Sequence, residues 1–192
     1  MRAVIIDTTS LLTLSVLLYF LQPQTNQWLA YYHSGIENGQ LWRLITGHIC
    51  HTNLSHLILN SVGLLVTISL FIDSFKNKSL LMSSLFSSLF ISICLFIFNP
   101  SIEWYMGLSG ILHALFSIGV CDELQKNNKW GYILGIGLLL KLLIEQLIGP
   151  MHSTELLILA NVSIDAHLYG AIAGIIYFLF LLAKNKYYRF QK

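Results

Sequence analysis

The chain has 192 residues, of which 55% are hydrophobic and 10% charged, with a formal net charge of +2 and a mean hydropathy of +0.68. A soluble domain carries roughly 25% charged residues, so this composition excludes an ordinary soluble protein and points to a membrane. It suggests no nucleic-acid partner, and Cys50, Cys94 and Cys121 fall on no spacing that would imply a metal or a disulfide framework.

A membrane-spanning helix needs about 20 mostly apolar residues and satisfies its own backbone hydrogen bonds. In chain order the candidates are 8–22, 51–72, 80–98, 108–120, 131–148 and 164–183. No small-x-small cleavage site follows the first, so it is expected to remain in place. Residues 23–46 form the one long loop before the last span. Its Trp28, Tyr31, Tyr32 and Trp42 fit a segment resting at the outer interface. If both termini are cytoplasmic, Arg2, Lys76, Lys78, Lys126, Lys129, Lys184, Lys186, Arg189 and Lys192 lie inside and only Arg43 lies outside, with Lys141 within a span. That asymmetry predicts N-in, C-in. The expected fold is all-α: one polytopic membrane domain over 1–192, built as a six-transmembrane-helix bundle.

Polar side chains inside a bilayer are costly and mark candidate sites. They are His56 and Asn60 in span two, Ser109 and His113 in span four, Lys141 and Glu145 in span five, and His167 in span six. Span four must reach the inside by Asp122, thirteen residues after Ser109, or roughly 20 Å of a roughly 30 Å core. The segment with Gly107 must therefore dip into the membrane. Counting back from Lys184 and Asp73 brings His167, His56 and Asn60 to the same layer.

Span six has Gly170 and Gly174 four apart, a small-xxx-small face, and span four offers Gly110, Ala114, Ser117 and Cys121. If these faces meet, Ser109 comes beside His167. A serine is a weak nucleophile until a base takes its proton, and histidine is the commonest base. His167 can do this from a separate helix; His113 can pack on the imidazole. His56 and Asn60 share a helical face and, with the Ser109 backbone N–H, can donate to an oxyanion. Asp165 is two residues from His167 and points away on a helix, so a dyad is expected, with Asp165 capping span six.

Lys141 and Glu145, one turn apart, are expected to neutralise each other as a structural pair. His48, His51 and His56 share no helical face, and no HExxH occurs, so no metal is expected. His33 and His152 are expected to be solvated. A transporter or channel would predict charges along a path and repeat symmetry, and neither is visible.

These residues resemble the rhomboid family of intramembrane serine proteases over nearly the whole chain. The matching motifs are "GLSG" at 107–110, "AHLYGAIAG" at 166–174, "HLILN" at 56–60 and "LWRL" at 41–44, with the Trp42-Arg43 pair of the family's first loop. The chain is similar to the minimal bacterial form, the GlpG type, without an extra cytoplasmic domain. The resemblance implies a Ser109–His167 dyad without cofactor and a site that opens outward under a loop at 149–163. It also implies transmembrane protein substrates entering sideways from the lipid, and residence in a bacterial cytoplasmic (inner) membrane. An inactive relative that binds transmembrane helices as a chaperone or adaptor is the alternative. Two departures stand out: His113 occupies a place where relatives often carry tyrosine, and the loop arginine has no certain acidic partner, Asp73 being the nearest candidate.

Overall fold

The computed structural model describes residues 1–76 and 78–190, the side chains of 185–190 excepted. Five of the described helices are long and apolar enough to cross a membrane: α1 (Arg2–Phe20), α5 (Leu54–Phe75), α6 (Leu80–Phe98), α8 (Lys129–Ile148) and α10 (Ile164–Phe190, apolar to Lys184). A sixth long helix, α7 (Ser109–Gln125), has 17 residues and is the buried centre of the bundle. Its Gly110, Ile111, Ala114, Leu115, Ile118 and Gly119 are all buried, and α5, α6, α8 and α10 pack around it. The protein is an all-α integral membrane protein. Lys186, Arg189 and Lys192 of the charge count lie outside the described side chains.

Helix boundaries follow local chemistry. α1 starts six residues before the expected Thr8, and α5 starts three residues after the expected His51 because Asn53 caps it, its Oδ1 accepting from His56 N at 2.8 Å. Asp7 Oδ2 accepts from the backbone N–H groups of Leu80 and Leu81 at 3.1 and 3.2 Å, so α1 caps the start of α6. Along α6, Ser83, Ser84, Ser87 and Ser88 each return their hydroxyl to the carbonyl four residues back, which makes a serine-rich helix compatible with a dry interior.

The 23–46 loop is a small folded unit. α2 (Gln24–Leu29) ends with carbonyls that have no helical partner, and α4 (Arg43–Thr46) with its flanking tryptophan supplies donors to all four in succession. Arg43 Nη2 donates to Gln27 O at 2.8 Å, Trp42 Nε1 to Trp28 O at 2.9 Å, Thr46 Oγ1 to Leu29 O at 2.5 Å and Arg43 Nη1 to Ala30 O at 2.7 Å. Arg43 Nε adds Gln40 Oε1 at 2.6 Å. The buried guanidinium therefore works against carbonyls and an amide, and Asp73 pairs with Lys76 instead.

β1 (Tyr31–Tyr32) pairs antiparallel with β2 (Trp104–Tyr105) and folds the loop back on the bundle. Tyr31 is thereby fully buried, and Tyr32 stacks on Trp104 at 4.1 Å. Of the four expected interfacial rings, only Trp28 and Trp42 face outward. The same fold-back, through α3 (His33–Glu37), buries His33 against the Phe96 ring at 4.6 Å, contrary to a solvated loop position. His152 is exposed.

The α7–α10 contact has no slack. A Cβ at Gly170 would lie 2.1 Å from Gly110 O, and one at Gly174 would lie 2.2 Å from Ala114 O. The small faces expected within 108–120 and 164–183 meet, as α7 and α10. A Cβ at Gly137 on α8, by contrast, would have nothing within 4 Å. Gly170→Ala should therefore lower the thermal unfolding temperature of the detergent-solubilised protein, by the roughly 1–3 kcal/mol of an overpacked core or more. Gly137→Ala should leave that temperature unchanged or raise it, since a helical Gly costs about 0.5–1 kcal/mol relative to Ala.

Candidate active site

Ser109 is the first residue of α7, where backbone N–H groups have no intrahelical acceptor. Its Oγ lies 3.0 Å from His167 Nε2 on the first turns of α10. The close passage of the two helices delivers this contact across 58 residues of chain. The His113 ring stacks on the His167 ring, with centroids 4.2 Å apart and planes 18° from parallel, while its Nδ1 meets the Ser109 carbonyl at 2.7 Å.

His56 and Asn60 reach the site from α5. Gly107 has a φ of +125°, in the region that favours glycine. A Cβ there would lie 2.6 Å from His56 Nε2 and 3.4 Å from Asn60 Nδ2. Both nitrogens therefore face the backbone just before Ser109, and the buried Asn60 Nδ2 has no protein partner among the described residues. Gly107 N donates to Gly47 O at 3.2 Å, which fixes the dipping segment to the 3₁₀ turn Gly47–Ile49.

A cavity of about 300 Å³ opens over these groups, lined by Thr52, His56, Asn60, Ser109 and His167 on one side and by Ile158, Asn161 and Ser163 on the other. The second side belongs to the 149–163 segment, which contains α9 (His152–Ile158). Thr52 Oγ1 donates to Ile158 O at 2.6 Å and sits 3.0 Å from His56 Nδ1; Asn53 Nδ2 donates to Leu157 O at 2.9 Å. Trp42 and Arg43 do not line the cavity; they brace the loop as described.

Asp165 turns away from His167 and accepts from Asn99 Nδ2 at 2.8 Å, tying α10 to the end of α6 rather than capping its own helix. From the sequence, Glu145 is expected only as the structural partner of Lys141. It pairs with Lys141 (Nζ–Oε1 2.8 Å), as expected, but Oε2 also lies 3.0 Å from His167 Nδ1. The signal was a carboxylate in a span, on a helix neighbouring that of His167.

Ligand atoms of His113, Glu145 and His167 lie within 4.8 Å of one another; these side chains also contact the Ser109 carbonyl, Lys141 and Ser109 Oγ, respectively. His48 and His51, outside the spans, are buried apart from this cluster. Burial pushes them down to about 4 and about 3, so both are neutral, and His48 Nε2 is held by Ser92 Oγ and Ser88 O. The three cysteines are free.

A family profile described as Rhomboid domain matches residues 38–184. The chain belongs to the rhomboid family. It is also 25% identical over 169 residues to a Bacillus subtilis (strain 168) protein named "Putative rhomboid protease YdcA", over 82% of this chain and 76% of that protein. In this rhomboid the ring beside His167 is an imidazole, and its stacking can be probed. Offset stacking is worth roughly 0.5–1.5 kcal/mol. His113→Phe should keep most of the rate at which a fluorophosphonate labels Ser109, and His113→Ala should lose up to about tenfold, read by in-gel fluorescence.

Proposed function

We propose that this rhomboid is an intramembrane serine endopeptidase that hydrolyses peptide bonds in or near the transmembrane segments of other membrane proteins. The contact that carries the proposal is the 3.0 Å approach of His167 Nε2 to Ser109 Oγ beneath the cavity. His167 takes the hydroxyl proton as Oγ bonds to the substrate carbonyl carbon. The resulting oxyanion is received by Asn60 Nδ2, His56 and the Ser109 backbone N–H, the last favoured by the start of α7. His167 then gives its proton to the leaving amine, and water hydrolyses the acyl-enzyme by the same route in reverse.

Substrates enter from the lipid and carry helix-weakening residues such as glycine or proline near the cut, because a helical peptide bond is shielded. In this proposal α7 is the sixth span, the termini are cytoplasmic, and the chain resides in a bacterial cytoplasmic membrane. At about 25 Å, α7 is shorter than the hydrocarbon core, consistent with Ser109 lying below the outer surface.

Fluorophosphonate labelling of the detergent-purified protein, followed by site mapping, tests this. Labelling should fall at Ser109 and vanish in Ser109→Ala and His167→Ala. A folded protein that is not labelled would instead be an inactive helix-binding relative. The oxyanion site has its own test. Losing one such donor typically costs about 10²–10³ in rate; with three sharing the charge, His56→Ala and Asn60→Ala should each cost less and the double variant more. Wild-type cleavage rates in both single variants would remove that face from the site.

A further inference from the structure

The serine–histidine pair leaves one nearby charged group unused. Glu145 sits on α8, a helix of which only Gly131 and Leu142 are buried, yet its own side chain is 13% exposed and turned toward α10. We propose that Glu145 is the third member of the site, a positioning residue that fixes the tautomer of His167, so that the dyad is a Ser109–His167–Glu145 triad. The assignment rests on the serine-protease function proposed above.

The argument is one of donors and acceptors. Lys141 Nζ lies 2.8 Å from Glu145 Oε1, and an ammonium partner keeps the carboxyl group ionised. An ionised carboxylate only accepts hydrogen bonds. The 3.0 and 3.2 Å contacts with His167 Nδ1 therefore require the hydrogen to be on Nδ1. A neutral imidazole has one N–H, so Nε2 presents its lone pair, and the 3.0 Å contact with Ser109 runs from the hydroxyl to the ring. That is the tautomer a general base needs. When Nε2 gains the serine proton, the new positive charge lies against the carboxylate, while Glu145 remains ionised throughout. Asp165, the acidic residue nearest in sequence, is occupied with Asn99 and cannot do this.

Lys141 has a distinct part. It binds Oε1, while the ring meets both oxygens and Oε2 the more closely, so the ion pair aims Glu145 rather than merely neutralising it. Its side chain is 46% exposed and lines a cleft between α5, α7 and α8 that also reaches His113.

A charge-neutral double-mutant cycle distinguishes this role from a purely structural ion pair. The full chain in detergent is assayed on an internally quenched, single-spanning peptide with a glycine in its helix, and kcat and KM are measured separately. In a buried serine-protease triad, replacing the carboxylate by its amide costs about 10⁴ in kcat. Glu145→Gln should lower kcat by on the order of 10²-fold or more with KM unchanged. Lys141→Met should cost much less, because the carboxylate stays on Nδ1, and Lys141→Met/Glu145→Gln should stay as slow as Glu145→Gln alone.

A kcat within about threefold of wild type for folded Glu145→Gln would overturn the assignment, as would recovery of kcat in the double variant. Recovery would mean that the pair only balances charge. Failure of the protease proposal itself gives a different result: the wild-type chain and its Ser109→Ala variant would then cleave equally, or neither would cleave.

Discussion

Helices α7 and α10 pass one another with backbone against backbone, and the meeting of Ser109 with His167 follows from that passage. Gly170 faces the Gly110 carbonyl and Gly174 the Ala114 carbonyl at separations that leave no room for a methyl group. Without water to drive helices together, packing in a membrane relies on such close approach. The register it imposes is what sets a ring nitrogen on α10 within hydrogen-bond reach of a hydroxyl at the start of α7. A half-turn slip would leave both helices buried and the two side chains apart.

Much of this was legible in the sequence, because the relevant signals are local. The small residues of 108–120 and 164–183 announce a pair of close-packing faces, and the meeting of those faces sets Ser109 beside His167. The stacking partner His113 follows from the same helical face. What could not be read depends on how separate elements rotate about one another. Glu145 had a sufficient local explanation in Lys141, and only the azimuth of α8 reveals that its second oxygen meets His167. His33 looked like a solvated loop residue until the β1–β2 pairing folded it against Phe96.

Arg43 is instructive for a different reason. An arginine invites a search for an acid, and Asp73 was the nearest candidate. The structure uses backbone instead: the unpaired carbonyls at the end of a six-residue helix carry the negative end of the helix dipole. A planar guanidinium with five donors spans two of them at once. The tryptophan before it and the threonine after it complete the set. The six-residue helix α2 is thus held by Arg43 and Thr46 of α4 and by the flanking Trp42.

Thr52 imposes a choice that neither of its neighbours can escape. It has a single hydroxyl hydrogen and two suitors: the Ile158 carbonyl at 2.6 Å and His56 Nδ1 at 3.0 Å. With the hydrogen on the nearer carbonyl, the hydroxyl has none left for the ring, and Nδ1 accepts from the backbone N–H of Thr52 at 3.4 Å. A neutral His56 then carries its hydrogen on Nε2, the nitrogen that faces Gly107 and the cavity. The residue that latches the roof of the cavity thus also sets which nitrogen of the wall beneath it can donate.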